Sequence, residues 1–273
     1  MLMHKEHGYD FLAITDHRRY NYENYAPETG ITIIPGMEMD RGLNGTGDYG
    51  MCYHAVSIGP LKENGNGFDH DQVFDTGTVK DQYEFQKVLD DLHANNNLTI
   101  YCHPDWSRTP ARSYENMQGN FAMEIWNSGC VIENDMDTNA WGWDELLVAG
   151  KRIYGVATDD GHKMDQHCVG WVMVNSENDV RSILKALESG SFYSSTGPEI
   201  KLFAVDGDEA VIETSPVREA VFINGTRPNR KARGENGLIT SARVKLPDKT
   251  KYIRATVVDE LGRRAWTNPI FID

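Results

Sequence analysis

Cysteine is scarce in this chain of 273 residues, and the four present lie far apart at Cys52, Cys102, Cys130 and Cys168. No CxxC pair occurs, which excludes zinc-finger spacing and leaves no disulfide framework. Three of the four sit in or beside apolar runs, as small buried hydrophobes do. No apolar stretch approaches the roughly 20 residues needed to cross a bilayer, so no membrane is expected as a partner. The opening Met-Leu-Met-His-Lys-Glu-His-Gly lacks the apolar core of a signal peptide, and a cytoplasmic location is the expectation. Positive charge is also short. Against 41 Asp+Glu stand 27 Lys+Arg, leaving −14. That balance argues against a nucleic-acid polymer as partner, which would need a basic face. A small phosphorylated substrate stays open, because metal ions can supply positive charge locally. Internal repeats and low-complexity segments are absent.

What is present is an ordinary globular composition, 40% hydrophobic and 25% charged. Four ionisable clusters stand out, each hung on the end of an apolar run. They read Phe11-Leu-Ala-Ile-Thr-Asp16-His17, Thr32-Ile-Ile-Pro-Gly-Met-Glu38, Leu98-Thr-Ile-Tyr-Cys-His103-Pro and Arg152-Ile-Tyr-Gly-Val-Ala-Thr-Asp159-Asp160-Gly-His162. Short runs rich in β-branched and aromatic residues are expected as buried strands. In a barrel of parallel strands, groups at C-terminal strand ends share one mouth. Carboxylates and imidazoles gathered there point to a metal site able to take Zn, Mn or Fe. His17, Glu38, His103, Asp160 and His162 are candidates on this ground, because such groups beside buried strands need partners. His54 joins them, although a strand histidine is often a satisfied core residue. Glu124 and Asn127, at another strand end, are candidates for supporting the site. Arg18, Arg108 and Arg112 lie just beyond ligand-bearing strand ends and could clamp a phosphate; solvated loop arginines would look the same. His4 and His7 read as helix-end residues, His70 as a loop residue and His93 as a helix-edge residue. His167 stands near the Asp160 cluster without a settled role.

Residues 1 to 196 alternate strand-like and helix-like segments, the pattern of βα units. Asp81 with Glu84 three residues later forms a capping-box-like start, and Phe85, Val88, Leu89 and Leu92 follow at helical spacing until Asn95. A second helix is expected from Ser176 or Asn178 to Gly190, and a shorter one over Trp143 to Ala149. Strands are expected at Met51–Ile58, Phe121–Trp126 and Cys168–Val174, with loops over Gly42–Gly50 and Gly59–Thr78. Beyond Pro198 only short strands separated by turn signals appear. They span Glu199–Val205, Glu209–Thr214, Glu219–Ile223, Leu238–Leu246, Tyr252–Asp259 and Ala265–Ile272. This predicts a small antiparallel β-sandwich over 197–273. The first eight residues behave as the last turns of a helix stopped by Gly8. A βα barrel places a strand before such a helix, so the first strand is expected to be missing from this chain.

The order Ile14-Thr-Asp16-His17, Gly36-Met-Glu38, His54, Cys102-His103-Pro104 and Asp160-Gly-His162 resembles the polymerase-and-histidinol-phosphatase (PHP) superfamily over residues 1 to 196. The phrase Ser191-Phe-Tyr-Ser-Ser-Thr-Gly-Pro198 and the ending Gly262-Arg-Arg-Ala-Trp-Thr-Asn-Pro-Ile270 resemble its carbaryl-hydrolase-like two-domain subgroup. The resemblance implies a distorted (βα)7 barrel, metal-dependent phosphoesterase activity and a di- or trinuclear centre of divalent ions that activates a hydroxide. It implies that Glu38 bridges two ions, with His54 and His103 completing one of those sites and Asp160 serving the other. His17 and His162 would hold a third, and Asp16 would take a catalytic part by orienting a ligand or moving protons. The family's His-x-His on strand one has no counterpart here, and neither does a histidine from the following loop. The chain is therefore expected to hold metal incompletely, best at Glu38, His54 and His103. Two other readings stay open: a carbon-ester or carbamate hydrolase of the same fold, and a non-catalytic binding module with a decayed metal site.

Overall fold

The structure, a computed structural model, describes residues 1–45, 50–65, 67–136, 139–234 and 237–272. The described residues form a mixed α/β protein in which antiparallel pairings predominate. In chain order the first part carries α1 (Leu2–Glu6), β1 (Phe11–Ala13), β2 (Thr32–Ile34), β3 (Gly36–Leu43), β4 (Cys52–Ile58), β5 (Thr78–Val79), α2 (Gln82–Ala94), β6 (Leu98–Tyr101) and β7 (Asn120–Asn127). Then come α3 (Ser128–Asn134), α4 (Ala140–Val148), β8 (Tyr154–Thr158), β9 (Trp171–Val174), α5 (Val180–Glu188) and β10 (Phe192–Ser195). The last part is all strand: β11 (Ile200–Asp206), β12 (Glu209–Val217), β13 (Glu219–Ile223), β14 (Arg230–Arg233), β15 (Ile239–Lys245), β16 (Tyr252–Val258), β17 (Arg264–Thr267) and β18 (Ile270–Phe271). The expected loops over Gly42–Gly50 and Gly59–Thr78 fall partly outside the described residues, at 46–49 and 66.

The run Thr32 to Glu38, expected as one strand, is two. Pro35 has no N–H to donate, and the chain changes partners across it. On one side β2 pairs in parallel with β1; on the other β3 runs antiparallel to β4. Gly36 is needed at the bend, because a Cβ there would lie 2.7 Å from the Ser57 carbonyl oxygen. Glu38 is consequently the third residue of a strand rather than the end of one.

Six strands form a sheet in the order β5-β3-β4-β6-β7-β8. Strand alternation gives it two chemically different faces. Met37, Met39, Tyr53, Tyr101, Met123, Ile125 and Ala157 point into a core closed by Phe85, Leu89 and Leu92 of α2 and by Trp143, Leu146 and Leu147 of α4. The opposite face carries Glu38, Asp40, His54, Glu124 and Thr158 at one end. At the other it carries Ile58, Ile100 and Val156, which pack with Ile34 of β2 and with Ile183, Leu184 and Leu187 of α5. Helix α2 starts where Asp81 accepts from the Tyr83 and Glu84 amides at 2.9 and 3.0 Å; Glu84 reaches back to the Lys80 amide. Helix α5 is capped by Asp179, whose carboxylate accepts from Ser182 N at 2.9 Å, slightly later than expected.

The boundary near 197 falls between β10 and β11, but hydrogen bonding runs across it. Strands β9 and β10 belong to a seven-stranded sheet ordered β14-β13-β16-β17-β10-β9, with β18 on β16. A three-stranded sheet, β11-β12-β15, packs on it around Ile212, Phe222, Ala255 and Val257. Among the described residues β1 has no ladder partner except β2, and β9 has none except β10. Their free edges border a cavity of about 1050 Å³ lined by Phe11, Val56, Ile100, Val172 and Val174 as well as by Glu38, His103 and Asp160. Among the described residues no helix is long and apolar enough to cross a membrane.

Candidate metal centre

Glu38 stands at the polar end of the six-stranded sheet, on β3, next to the edge strand β5. Its side chain is 7% exposed, so its charge needs compensation from the protein. Oε1 lies 2.6 Å from His54 Nδ1 and 3.3 Å from His103 Nε2. Oε2 lies 3.9 Å from His17 Nε2. The strand register explains the first contact: β4 places His54 directly opposite Asp40, one step along the same face from Glu38. The bend after β6 brings His103 in from the next strand, and its ring meets that of His54 at 4.8 Å between centroids. His17 arrives from the end of β1 through a backbone bridge, in which Glu38 N donates to the Asp16 carbonyl and Arg18 N to the Glu38 carbonyl.

The ligand atoms of His17, Glu38 and His54 all lie within 4.8 Å of one another. This is a somewhat different trio from the expected Glu38, His54 and His103, with His103 joined through the shared carboxylate. The rings are also held from behind. His103 Nδ1 is 3.0 Å from Ser107 Oγ, and His17 Nδ1 is 3.0 Å from Asp40 Oδ1, which Arg18 also contacts. Fixing one ring nitrogen aims the other, as in metal-binding histidines generally. His103 has φ +24° and Arg18 φ +56°, left-handed values that non-glycine residues rarely adopt and that cluster at functional sites.

The charges are strongly coupled. Burial pushes the Glu38 carboxyl up, but hydrogen bonds from His103 and His54 outweigh it and hold the group well below the usual carboxylate range. Burial alone would lower His54; pairing with Cys52 and Glu38 instead raises it to about 10. His103 is raised against its own burial by Glu38. His17 is raised chiefly by its bond to Asp40. The raised proton affinity of the rings and the lowered one of the carboxyl are two sides of the same pairing.

Asp160 flanks this cluster without joining it fully. Its Oδ2 is 4.0 Å from His103 Nε2 and accepts from Asn127 Nδ2 at 3.0 Å. Asn127 also donates to Glu124 Oε2 at 3.0 Å; the same carboxylate accepts from the His103 amide at 2.8 Å and from Thr158 Oγ1 at 2.6 Å. Full burial raises the Glu124 carboxyl above its ordinary value. Asp160 itself sits at φ +44°. The His162 side chain is 64% exposed, and its Nδ1 lies 2.9 Å from the Asp160 carbonyl oxygen and 3.8 Å from Asp160 Oδ1. No contact joins His162 to His17 among the described residues. Asp16 is exposed, and its carboxylate accepts from Asn21 Nδ2 at 3.2 Å; only its backbone carbonyl meets Glu38.

Asp40 and Ser107 are the residues that motif spacing did not single out. The Glu38-x-Asp40 alternation would have placed Asp40 on the same face, had the strand been extended past Glu38. One buried carboxylate surrounded by three imidazoles is a donor set suited to zinc, manganese or iron. Comparison of the chain with family models and with curated proteins returns no match.

Proposed function

We propose that this chain is a metal-dependent hydrolase of the PHP type that cleaves phosphate esters of small molecules. The observation that carries the reading is the grip of His54 and His103 on one oxygen of buried Glu38, with His17 facing the other. Glu38, His54, His103 and His17 would hold the divalent ions, with Asp160 and His162 at the open side. Such ions supply Lewis acidity and activate water near neutral pH. The protein's own part is positional. Asp40 and Ser107 aim His17 and His103, while Glu124 and Asn127 fix His103 and Asp160 with respect to each other. The adjoining cavity of about 1050 Å³ is large enough for a small phosphorylated substrate.

The fold reading proposed with it is a distorted βα barrel that lacks a strand between β1 and β9, followed by a β-sandwich. The free edges of both strands, bordering one cavity with apolar walls, support it. A second reading, a binding module with a decayed site, draws on His162 facing solvent and on the absence of any contact between it and His17.

The test is an assay with Zn²⁺ or Mn²⁺ against aryl phosphates, phosphodiesters, p-nitrophenyl acetate and an aryl carbamate. Metal-dependent turnover of a phosphate ester is expected, with Glu38→Gln reducing kcat/KM by ~100-fold or more, as loss of a direct ligand should exceed loss of a residue behind it. Preference for the acetate or carbamate would move the assignment to carbon esters. No turnover with metal demonstrably bound would leave the binding module.

A further inference from the structure

His4, Asp159 and His167 form a second convergence of metal-ligating groups. It draws on none of the side chains assigned to the Glu38 centre. One ligand atom from each of the three lies within 4.8 Å of those of the other two. They come from distant parts of the chain: His4 from α1, Asp159 from the end of β8, and His167 from the turn before β9.

The carboxylate is fixed before any ion is considered. Asp159 Oδ1 accepts from Ser128 Oγ, Val169 N and Gly170 N at 3.0, 3.1 and 2.9 Å. Among the described residues Oδ2 accepts from Cys168 N alone, at 2.6 Å, and so keeps acceptor capacity. Every one of these donors is a neutral group. His167 is fixed as well: its ring lies so close to Gly161 that a Cβ there would come within 2.4 Å of it. His4 packs edge-on to that ring at 5.3 Å and to Tyr9 at 5.2 Å. Its Nδ1 is buried without a hydrogen-bond partner, and so is the neighbouring Tyr9 Oη. A buried polar atom with nothing to bond is costly, and an ion bound through Nδ1 would remove that cost at His4. All three ligand residues line the large cavity, which leaves coordination positions open on that side.

We infer that His4, Asp159 and His167 bind one divalent transition-metal ion, separate from the Glu38 centre. Two imidazoles and one carboxylate suit Zn²⁺ or Co²⁺, whereas Mg²⁺ and Ca²⁺ prefer all-oxygen sets. The site does not depend on the hydrolase reading.

Co²⁺ counting and Co²⁺ visible spectroscopy on the full chain test this. In Glu38→Gln, which disables the other centre, one equivalent of Co²⁺ should remain bound. In Glu38→Gln/His4→Ala that equivalent should be lost, and free imidazole should restore its absorbance. Helix α1 buries no residue, so His4→Ala should leave the fold intact, as near-ultraviolet circular dichroism would verify. Glu38→Gln/His167→Asn should behave alike. If Glu38→Gln binds no Co²⁺, or if both double variants retain the equivalent, the site does not exist.

Discussion

Two buried charges in this protein are neutralised in different ways. Arg254 of β16 is 1% exposed, and its guanidinium is bidentate to Asp144 of α4 at 2.8 and 2.7 Å. It also lies 4.5 Å from the centre of the Trp143 ring and donates to Thr256 Oγ1 at 3.2 Å. Glu38 is also buried, yet imidazoles answer its charge. A guanidinium never gives up its proton, and its bidentate contact with Asp144 fastens the C-terminal sheet to α4. Imidazoles titrate and ligate metals, so the Glu38 cluster can exchange ring protons for an ion. The first arrangement holds the molecule together. The second is built to change occupants.

The largest expected effect exploits that contrast through pH. His54 has its proton affinity raised on folding, so its contribution to stability is complete below 6.5 and fades as pH rises towards about 10. The rise from 6.5 to about 10, at ~1.36 kcal/mol per pH unit, sets an upper limit of ~5 kcal/mol. The same pairing seen from Glu38 works with the opposite sign: a depressed carboxyl stabilises above its unfolded value and loses that stability in acid. These are two views of one interaction and are not summed. In chelator, urea unfolding should therefore weaken between pH 6.5 and 10. Glu38→Gln should shrink that limb to the part due to Cys52, while Arg254 variants should keep it whole. A flat wild-type profile would mean that the rings are not protonated partners of Glu38.

Next in size is the fixed pair. Arg254→Ala leaves Asp144 without its partner and should cost ~3–5 kcal/mol in urea unfolding, equally at pH 6 and pH 9. Arg254→Lys should recover only part of this, since an ammonium cannot reproduce the bidentate contact. A loss that varied strongly with pH would erase the distinction drawn between the two charges.

Much of this contrast was legible in the residue order, but unevenly. The apolar runs ending in Asp16-His17, His103 and Asp159-Asp160 announced their strands, because burial on both faces enriches β-branched and aromatic residues. Helix α2 was legible from Asp81 and the spacing of Phe85, Leu89 and Leu92. Strand β14 was not: Arg230-Lys-Ala-Arg233 is a charged edge strand, stabilised by ladder bonds to β13 rather than by burial. The division of the Thr32–Glu38 run needed the partner strands, since Pro35 permits a bend without dictating one. Asp40 was missed for the same reason, because its face is defined only once β3 is known to continue to Leu43. The pairing of Arg254 with Asp144 links residues 110 apart, and no local pattern encodes it. The grouping of His4 with Asp159 and His167 is likewise tertiary; in sequence His4 reads as a helix-end cation.

The smallest expected effect asks whether His17 belongs to the exchangeable side at all. Its Nδ1 is held by Asp40, which directs Nε2 towards Glu38 Oε2 at 3.9 Å. Asp40→Asn keeps the size of the side chain and removes its charge. If His17 ligates, zinc affinity should fall by ~10-fold, the scale typical of residues that orient a ligand from behind. In metal-free protein the same change should bring the His17 ring down towards its ordinary proton affinity, because the Asp40 bond is the main cause of its elevation. Chelator competition reads the first quantity, and an NMR titration of the ring protons reads the second. Asp144→Asn, the equivalent change in the fixed pair, should move neither. If the ring titration shifts while zinc affinity stays constant, His17 is a partner of Asp40 only, and the centre contracts to Glu38, His54 and His103.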